Sequence, residues 1–234
     1  MRSNCVRSNC VKDMVGTDTN DQGELLRPFF TWSVYLDNNS SGFTVEGNVL
    51  SGNVNGGLFF HGGADNTVRN NVFARTSGFA PGASEPGDYG WYHAASVQYA
   101  KLSPLVHGGN NSVLRNVVLV TSNQSAWSLN APFNASTPEL AAVDRNLYYS
   151  SLQPLATMIA DRTGYPPFAW AEAHGASNGT WTGWRTGLGL DTHSAIDVEP
   201  GFRDSAHGDF TLRPDSAAAR LIGFEPIDPR ILPC

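Results

Sequence analysis

The stretches GFTVEGNVL (42–50), NTVRNNVFA (66–74), NSVLRNVVL (111–119) and AVDRNLYYS (142–150) share one pattern. In each stretch a valine stands three residues before an asparagine, and an apolar or aromatic residue stands two residues after it. The matched sets are Val45/Asn48/Leu50, Val68/Asn71/Phe73, Val113/Asn116/Val118 and Val143/Asn146/Tyr148. A repeat with a period of roughly 20–50 residues is typical of proteins that stack one structural unit on the next. The pattern therefore predicts a repeat architecture.

The repeated stretches have the character of β-strands. They are rich in Val, Phe, Leu and Tyr, show no helical periodicity, and are bounded by Gly, Asn, Asp and Ser. One such unit cannot bury its apolar face, whereas units stacked at the strand spacing of about 4.8 Å can. The sequence thus predicts an all-β fold, a right-handed parallel β-helix (solenoid), with the handedness taken by analogy from parallel β crossovers.

The asparagine of each copy is predicted to occupy an inward-facing turn. There its amide can hydrogen-bond backbone groups and the asparagines of the neighbouring copies. The alternative is that asparagine is simply a common turn residue. Four asparagines in one register, beside aligned apolar positions, favour the stacked arrangement.

Composition limits the classes of partner. The chain of 234 residues has a net charge of −6, and only two of its 15 basic residues are lysines. Without a basic stripe, nucleic acid is not expected as a partner. No zinc, calcium-loop or phosphate-loop pattern is present, so no metal and no cofactor are predicted. No apolar run is long enough to span a membrane.

The cysteines and the glycosylation triplets bear on compartment. A Cys5–Cys10 bridge is possible within the short duplication RSNCVRSNC, and the third cysteine, Cys234, is the last residue. No signal peptide is visible at the start of the chain. A secreted or extracellular location is nevertheless expected, on the Asn-x-Ser/Thr triplets that begin at Asn38, Asn39, Asn110, Asn123, Asn134 and Asn178.

The chain divides into two parts in this interpretation. Residues 1–20 are predicted to be an irregular N-terminal segment, and residues 21–234 a single β-helix domain. Within that domain, residues 77–110 form an insertion too long for a turn. Residues of about 152–234 form a C-terminal cap, with short helical pieces predicted in 152–164 and in PPFAWAEAHG (166–175), and with DFTLRPDSAAARLIGFEPIDP (209–229) covering an exposed end.

Several segments of the sequence resemble those of the right-handed parallel β-helix proteins of the pectate-lyase-like superfold. More narrowly, the chain is similar to the C-terminal part of family-141-type β-helix glycoside hydrolases. The matching segments are DQG (21–23), VYLDNNSSGFTVEGNVL (34–50), GGLFFHGGADNTVRNNVFA (56–74), GLDTHS (189–194), EPGF (199–202) and DFTLRPDSAAARLIGFEPID (209–228). The chain departs from the family at Asn38, Ala64 and Ala217, where an acid, an arginine and a proline are usual. The resemblance implies the fold and a carbohydrate substrate.

Three residues are candidates for catalysis. Asp37, His61 and Asp65 precede the aligned valines of successive repeats, so stacking is expected to bring Asp37 near His61 or Asp65. Two carboxylates facing one groove are what glycoside hydrolysis requires, and close like charges raise one pKa as an acid role needs. Histidine could transfer protons in support. The alternative is that Asp37 and Asp65 bond turn backbone N–H groups and that His61 is a packed turn residue held by its flanking glycines.

A second set of residues is predicted to bind substrate. Aromatic rings stack on the CH faces of sugars, and carboxylates bond their hydroxyl groups. The set comprises Asp21, Arg69, Glu85, Asp88, Tyr89, Trp91, Tyr92 and His93. The alternative for the aromatic residues is that they fix the inserted loop to the wall of the fold.

These features lead to one functional prediction with two alternatives. The prediction is a carbohydrate-active β-helix protein, glycoside hydrolase-like, with a polysaccharide or oligosaccharide as its partner. The first alternative is a polysaccharide lyase or epimerase acting on uronates. The second is a non-catalytic carbohydrate-binding or surface module. Fold alone does not choose among them.

Overall fold

The computed structural model describes residues 4–29, 31–74, 95–100, 108–120, 125–130, 140–157, 168–170 and 179–234. Eleven strands lie in the first third of the chain: β1 (Asn4–Arg7), β2 (Cys10–Lys12), β3 (Gly16–Thr19), β4 (Leu25–Phe29), β5 (Trp32–Asp37), β6 (Phe43–Glu46), β7 (Val49–Ser51), β8 (Gly56–His61), β9 (Gly63–Ala64), β10 (Thr67–Arg69) and β11 (Val72–Ala74).

The remaining described elements include both strands and short helices. The strands are β12 (Ala95–Ala100), β13 (Gly108–Gly109), β14 (Asn111–Leu114), β15 (Val117–Leu119), β16 (Ser125–Asn130), β17 (Leu140–Asp144), β18 (Leu147–Tyr149), β19 (Phe168–Trp170), β20 (Ala195–Ile196), β21 (Phe202–Asp204) and β22 (Asp209–Leu212). The helices are α1 (Trp181–Leu188), α2 (Ala217–Ile222) and two 3₁₀ turns, Ser205–His207 and Pro229–Ile231.

The protein is predominantly β, and its three main sheets consist of parallel strands. Sheet 1 has the order β1-β6-β10-β14-β17, sheet 2 the order β2-β7-β11-β15-β18-β20, and sheet 3 the order β5-β8-β12-β16-β19. From β5 onward the chain visits sheet 3, sheet 1 and sheet 2 in turn. Strands β3 and β4, and strands β21 and β22, form two antiparallel pairs.

The repeated pattern sets the register of these sheets. The four valines pair in one row of sheet 1, as Val45↔Val68↔Val113↔Val143. The apolar residues that follow the asparagines pair in one row of sheet 2, as Leu50↔Phe73↔Val118↔Tyr148. Both rows lie in the main core, together with Leu58, Phe60, Val97 and Trp127 of sheet 3. The predicted alignment of the four copies is confirmed.

The asparagines form a continuous ladder between sheets 1 and 2, exposed at Asn9 and buried from Asn48 to Asn146. This asparagine ladder consists of Asn9, Asn48, Asn71, Asn116 and Asn146. At each step the backbone N–H and the Nδ2 group donate to Oδ1 of the next asparagine, at distances of 2.9–3.1 Å. From Asn48 on, Nδ2 also donates to the carbonyl of the valine one copy earlier. The predicted role of the asparagines is confirmed.

The ladder ends at a buried carboxyl group, that of Asp191. Its Oδ1 accepts hydrogen bonds from Asn146 Nδ2 (3.0 Å) and Ser194 Oγ (2.5 Å). Its Oδ2 accepts from the Tyr148 hydroxyl and the Trp184 indole, both at 2.8 Å. Burial raises the pKa of the Asp191 carboxyl, and the hydrogen bonds that it accepts oppose this shift without cancelling it.

Asp191 should therefore give the protein a stability component that falls as pH rises. The folded state binds this proton more tightly than the unfolded state, so the contribution is full below the unfolded pKa of about 3.9 and declines up to the raised folded pKa. Asp191→Asn cannot titrate. Urea unfolding of both proteins should show the stability of the wild type relative to Asp191→Asn falling as pH rises above about 4, by about 1.4 kcal/mol per tenfold difference in proton affinity between the folded and unfolded states. A pH-independent difference would contradict the raised pKa.

Residues 200–234 form a strap along the outer face of sheet 2. Outward-facing Val49, Val72, Val117 and Leu147 pack in one cluster with Phe202, Phe210, Ile222 and Phe224 of this C-terminal strap. A disulfide joins Cys10 of β2 to Cys234, across 224 residues of sequence. The strap thus covers the side of a sheet and reaches its first strand, whereas the sequence led us to expect a cap over an exposed end.

Three further expectations differ from the structure. Residues 1–20, expected to be irregular, contain β1, β2 and β3, of which β1 pairs with β6 and β2 with β7. Cys10 bonds Cys234 and leaves Cys5 free and exposed, so the possible Cys5–Cys10 bridge is wrong. Phe168–Trp170, expected to be helical, is a strand beside β16. Among the helices that the structure describes, none is long and apolar enough to cross a membrane.

Candidate functional site

Asp37 and His61 are neighbours at the carboxyl ends of adjacent parallel strands. They pair in the register of β5 and β8, one step beyond the pair Leu36↔Phe60. Leu36 and Phe60 belong to the main core. Because side chains alternate between the faces of a strand, Asp37 and His61 lie on the outer face of sheet 3. The predicted proximity of these two residues is confirmed.

The two side chains are joined by a short hydrogen bond. His61 Nδ1 lies 2.7 Å from Asp37 Oδ1, and the Tyr35 hydroxyl lies 3.2 Å from the same nitrogen. The bond from His61 lowers the pKa of Asp37, and bonds from the Tyr35 hydroxyl and the Asn38 backbone lower it further. Asp37 is therefore ionised at neutral pH, and His61 Nδ1 carries the proton that the bond requires.

This arrangement leaves His61 Nε2 as the atom able to accept a proton. In a neutral ring protonated at Nδ1, the lone pair lies on Nε2. That atom is buried and has no hydrogen-bond partner among the described residues. The His61 side chain is 16 % exposed, whereas that of Asp37 is 56 % exposed. An ionised carboxylate that orients an imidazole with a free Nε2 is suited to general acid–base chemistry.

A row of aromatic rings continues from this pair along sheet 3. Phe59 stacks on Trp32 at 4.5 Å and on Tyr35 at 4.9 Å between ring centroids, and it lies 5.4 Å from the His61 ring. Trp32 and Phe59 are buried, but Tyr35 is 43 % exposed. Tyr35 therefore supplies accessible ring surface beside the Asp37–His61 pair. Tyr35 was not predicted from the sequence, although a residue two positions before Asp37 lies on the same face of the strand.

Asp65 lies in a turn whose contacts lead away from Asp37. It follows β9 in the left-handed conformation, with φ of 59°. Its Oδ1 accepts from Asn110 Nδ2 at 2.6 Å, and its backbone N–H donates to the Gly109 carbonyl at 3.1 Å. Among the described contacts of Asp65, none involves Asp37 or His61. Asp65 is thus a turn residue, as the alternative held, but the described partner of its carboxylate is the side chain of Asn110 and not the local backbone.

Two of the eight predicted substrate-binding residues, Asp21 and Arg69, belong to the described part of the chain, and different sheets position them. Asp21 is exposed in the turn between β3 and β4. Arg69 lies on β10 of sheet 1, and its Nε donates to Glu46 Oε2 at 2.6 Å. The loop residues Glu85, Asp88, Tyr89, Trp91, Tyr92 and His93 lie outside the described residues.

Two other aspartate–histidine pairs occur among the described residues, and both are more open. His193 Nδ1 lies 2.7 Å from Asp144 Oδ2, and His207 Nδ1 lies 2.8 Å from Asp204 Oδ2. The two histidine side chains are 73 % and 83 % exposed. Enclosure thus distinguishes the Asp37–His61 pair. Within the described ranges, no group of three or more His, Cys, Asp or Glu residues could hold a metal ion.

Comparison of the chain with family models, with curated proteins and with solved structures found no match.

Proposed function

We propose that the three parallel sheets are the faces of one right-handed parallel β-helix, as the resemblance to the pectate-lyase-like superfold implies. The order in which the chain visits the sheets supports this fold, because each repeat contributes one strand to each of them. The asparagine ladder supports it as well, since each of its steps joins one repeat to the next. Repeats stacked in this way give an elongated surface suited to an extended polymer.

The function that we propose is that of a carbohydrate-active protein, glycoside hydrolase-like, which binds a polysaccharide across the outer face of sheet 3. One observation carries the proposal: the Asp37–His61 pair, with Nε2 unpartnered among the described residues, lies beside the exposed ring of Tyr35. A tyrosine ring can stack on the CH face of a sugar. The outward-facing carboxylate of Asp37 can accept bonds from sugar hydroxyl groups.

In the proposed hydrolysis, His61 acts as the general base. Nε2 takes a proton from the water that attacks the anomeric carbon on the face opposite the departing sugar oxygen. The glycosidic bond breaks as the new C–O bond forms, the departing oxygen takes a proton from solvent, and the imidazolium returns its proton to solvent. Asp37 acts as a positioning residue, because its bond to Nδ1 fixes the tautomer and stabilises the imidazolium. Asp65, bonded to Asn110, is assigned to the turn in this scheme. The proposed site therefore consists of Asp37 and His61, in place of the two facing carboxylates that the sequence predicted.

A lyase is the second candidate, and the same pair favours it. The described residues bring one histidine base together with one carboxylate, whereas hydrolysis through two facing carboxylates would need a second acid at the site. In a lyase, Nε2 would remove the proton next to the carboxylate of a uronate, the bond to the 4-oxygen would break as a double bond forms, and the departing oxygen would take a proton from solvent. The product would absorb ultraviolet light.

An extracellular location is part of the proposal. The Cys10–Cys234 disulfide supports it, because such bonds form and persist in oxidising compartments.

The test is an activity screen on neutral and uronate-containing polysaccharides, read as new reducing ends and as ultraviolet absorbance. On a substrate that the wild type cleaves, His61→Ala should lower kcat by about 100-fold or more. Asp37→Asn should lower it comparably, since the amide disfavours the proton on Nδ1. Asp37→Glu should recover part of the rate, which a merely structural role would not explain.

His207→Ala is the matched control, because His207 also bonds an aspartate but lies outside sheet 3. It should keep full activity. Full activity of His61→Ala would overturn the mechanism. Glycan binding without turnover by the wild type would instead identify a non-catalytic module.

A further inference from the structure

A charged cleft lies between the turns that join sheet 1 to sheet 2 and the C-terminal strap. Its volume is about 380 Å³, within the range of ligand sites. One wall carries Arg7, Arg69 and Arg115, and the opposite wall carries Glu225 and Asp228. The walls are tied by Asn70, whose Oδ1 accepts from the Glu225 backbone N–H (2.6 Å) and whose Nδ2 donates to the Glu225 carbonyl (3.1 Å).

The register of sheet 1 brings the arginines together. Arg7, Glu46 and Arg69 pair across β1, β6 and β10, so their side chains stand in one outward-facing row. Glu46 forms ion pairs with Arg7 and, at 2.6 Å, with Arg69. One carboxylate is thus shared by two guanidinium groups. Arg7 and Arg69 keep 61 % and 50 % of their side-chain surface exposed, so N–H groups remain for a further partner.

Arg115 adds a third guanidinium to the cleft. It stands directly before Asn116 of the ladder in the left-handed conformation, with φ of 55°. In the described part of the chain it has no ion-pair partner. Asp228, by contrast, is bonded by Arg230 at 2.9 and 3.0 Å and is therefore neutralised within the strap. Three guanidinium groups then face the carboxylates of Glu46 and Glu225, which leaves an excess of positive charge.

We propose that this cleft binds the carboxylate group of an acidic saccharide, with Arg69 and Arg115 as its principal contacts. Guanidinium groups bind planar and tetrahedral oxyanions through paired N–H groups. Ser8 and Asn70 also line the cleft and supply polar groups for sugar hydroxyls. The anion site follows from the described residues alone, whereas the saccharide that carries the anion rests on the proposed function.

The test is calorimetric titration of the whole chain with digalacturonate, with cellobiose as a neutral disaccharide, and with inorganic sulfate. Digalacturonate should bind and cellobiose should not. Arg115→Ala should raise the Kd for digalacturonate about tenfold or more. Glu225→Gln should lower it, because it removes an opposing charge, and a gain in affinity cannot arise from misfolding. Added salt should weaken binding in every case.

Arg220→Ala is the control, since Arg220 is an exposed arginine of the same strap and does not line the cleft. It should bind as the wild type does. Equal Kd values for Arg115→Ala and Arg220→Ala would overturn the proposal, and so would binding of sulfate without binding of digalacturonate. The catalytic proposal is tested by the cleavage rate of His61→Ala and this one by the Kd of Arg115→Ala, so failure of one and failure of the other are separate results.

Discussion

Removing the Cys10–Cys234 disulfide should lower the free energy of unfolding by about 5 kcal/mol, because the bond closes a loop that spans nearly the whole chain. The variant is Cys10→Ala combined with Cys234→Ala. Loss of the bond also frees the strap to leave the outer face of sheet 2, where Val49, Val72 and Val117 are buried beneath it. Urea unfolding, followed by circular dichroism, measures the change.

Cys5→Ala is the control for this experiment. Cys5 is a free, exposed cysteine on β1, so its replacement should change the unfolding free energy by less than about 0.5 kcal/mol. An unchanged urea midpoint in the double variant would show that apolar packing alone holds the strap. An increase in binding of a hydrophobic dye by the double variant would support the uncovering of sheet 2.

Asn116→Ala should cost roughly 4 kcal/mol, because it interrupts the asparagine ladder in its buried centre. Asn116 Oδ1 accepts from the Asn71 backbone N–H and from Asn71 Nδ2, both at 3.0 Å, and its own Nδ2 donates to the Val68 carbonyl at 3.1 Å. Each buried group that loses its partner costs about 1–3 kcal/mol. Thermal and urea unfolding should both report the loss.

Asn20→Ala is the comparison that isolates burial. Asn20 Oδ1 accepts from the backbone N–H groups of Gln22 and Glu24, but in an exposed turn where water can replace it. Its loss should cost less than about 1 kcal/mol. Asn116→Asp keeps the acceptor and removes the donors, so it should also destabilise. Equal effects of Asn116→Ala and Asn20→Ala would mean that the ladder adds no more than surface turns do.

The core of the fold could be predicted because it depends on residues at matched positions in every copy. The first copy was missed although it obeys the same rule, with Val6, Asn9 and Val11 at the required spacing. Arg7 and Ser8 make this copy polar, and β1 pairs with a described strand only on the side of β6. Pairing with an existing strand, rather than local apolar content, makes this segment extended.

Other features depend on contacts that no local pattern contains. Phe168–Trp170 lies among alanines and a glutamate that favour helix, yet it pairs with Trp127 and its neighbours in sheet 3. Asp191 and Ser194 share the place of a further asparagine at the end of the ladder: Asp191 Oδ1 accepts from Asn146 Nδ2, and Ser194 Oγ accepts from the Asn146 backbone N–H. The apolar residues of the strap indicated that it covers something. Which face they cover is decided by Val49, Val72 and Val117, which are far away in sequence.

The candidate site was predictable in part for the same reason. The alignment of copies places Asp37 opposite His61, since both end strands that follow one register. Asp65 follows the short strand β9 and adopts the left-handed conformation. The spacing of residues in the sequence could therefore not predict the direction of its side chain. The sequence did not lead us to predict that Arg7 and Arg115 line the same cleft as Arg69. The signal was available, because Arg115 directly precedes a ladder asparagine and Arg7 stands two residues before one.

The bond between the strap and β2 also has a mechanical consequence. The Cα atoms of Cys10 and Cys234 are 5.7 Å apart and covalently linked. A tensile force applied at residues 4–9 and at Cys234 therefore passes through the sulfur atoms and bypasses the stacked strands. Under such a load only β1 would be peeled from β6, one residue pair after another. Reduction of the disulfide would place the same load on every repeat. The length to which the molecule extends under a given force should therefore increase sharply when a reductant is added.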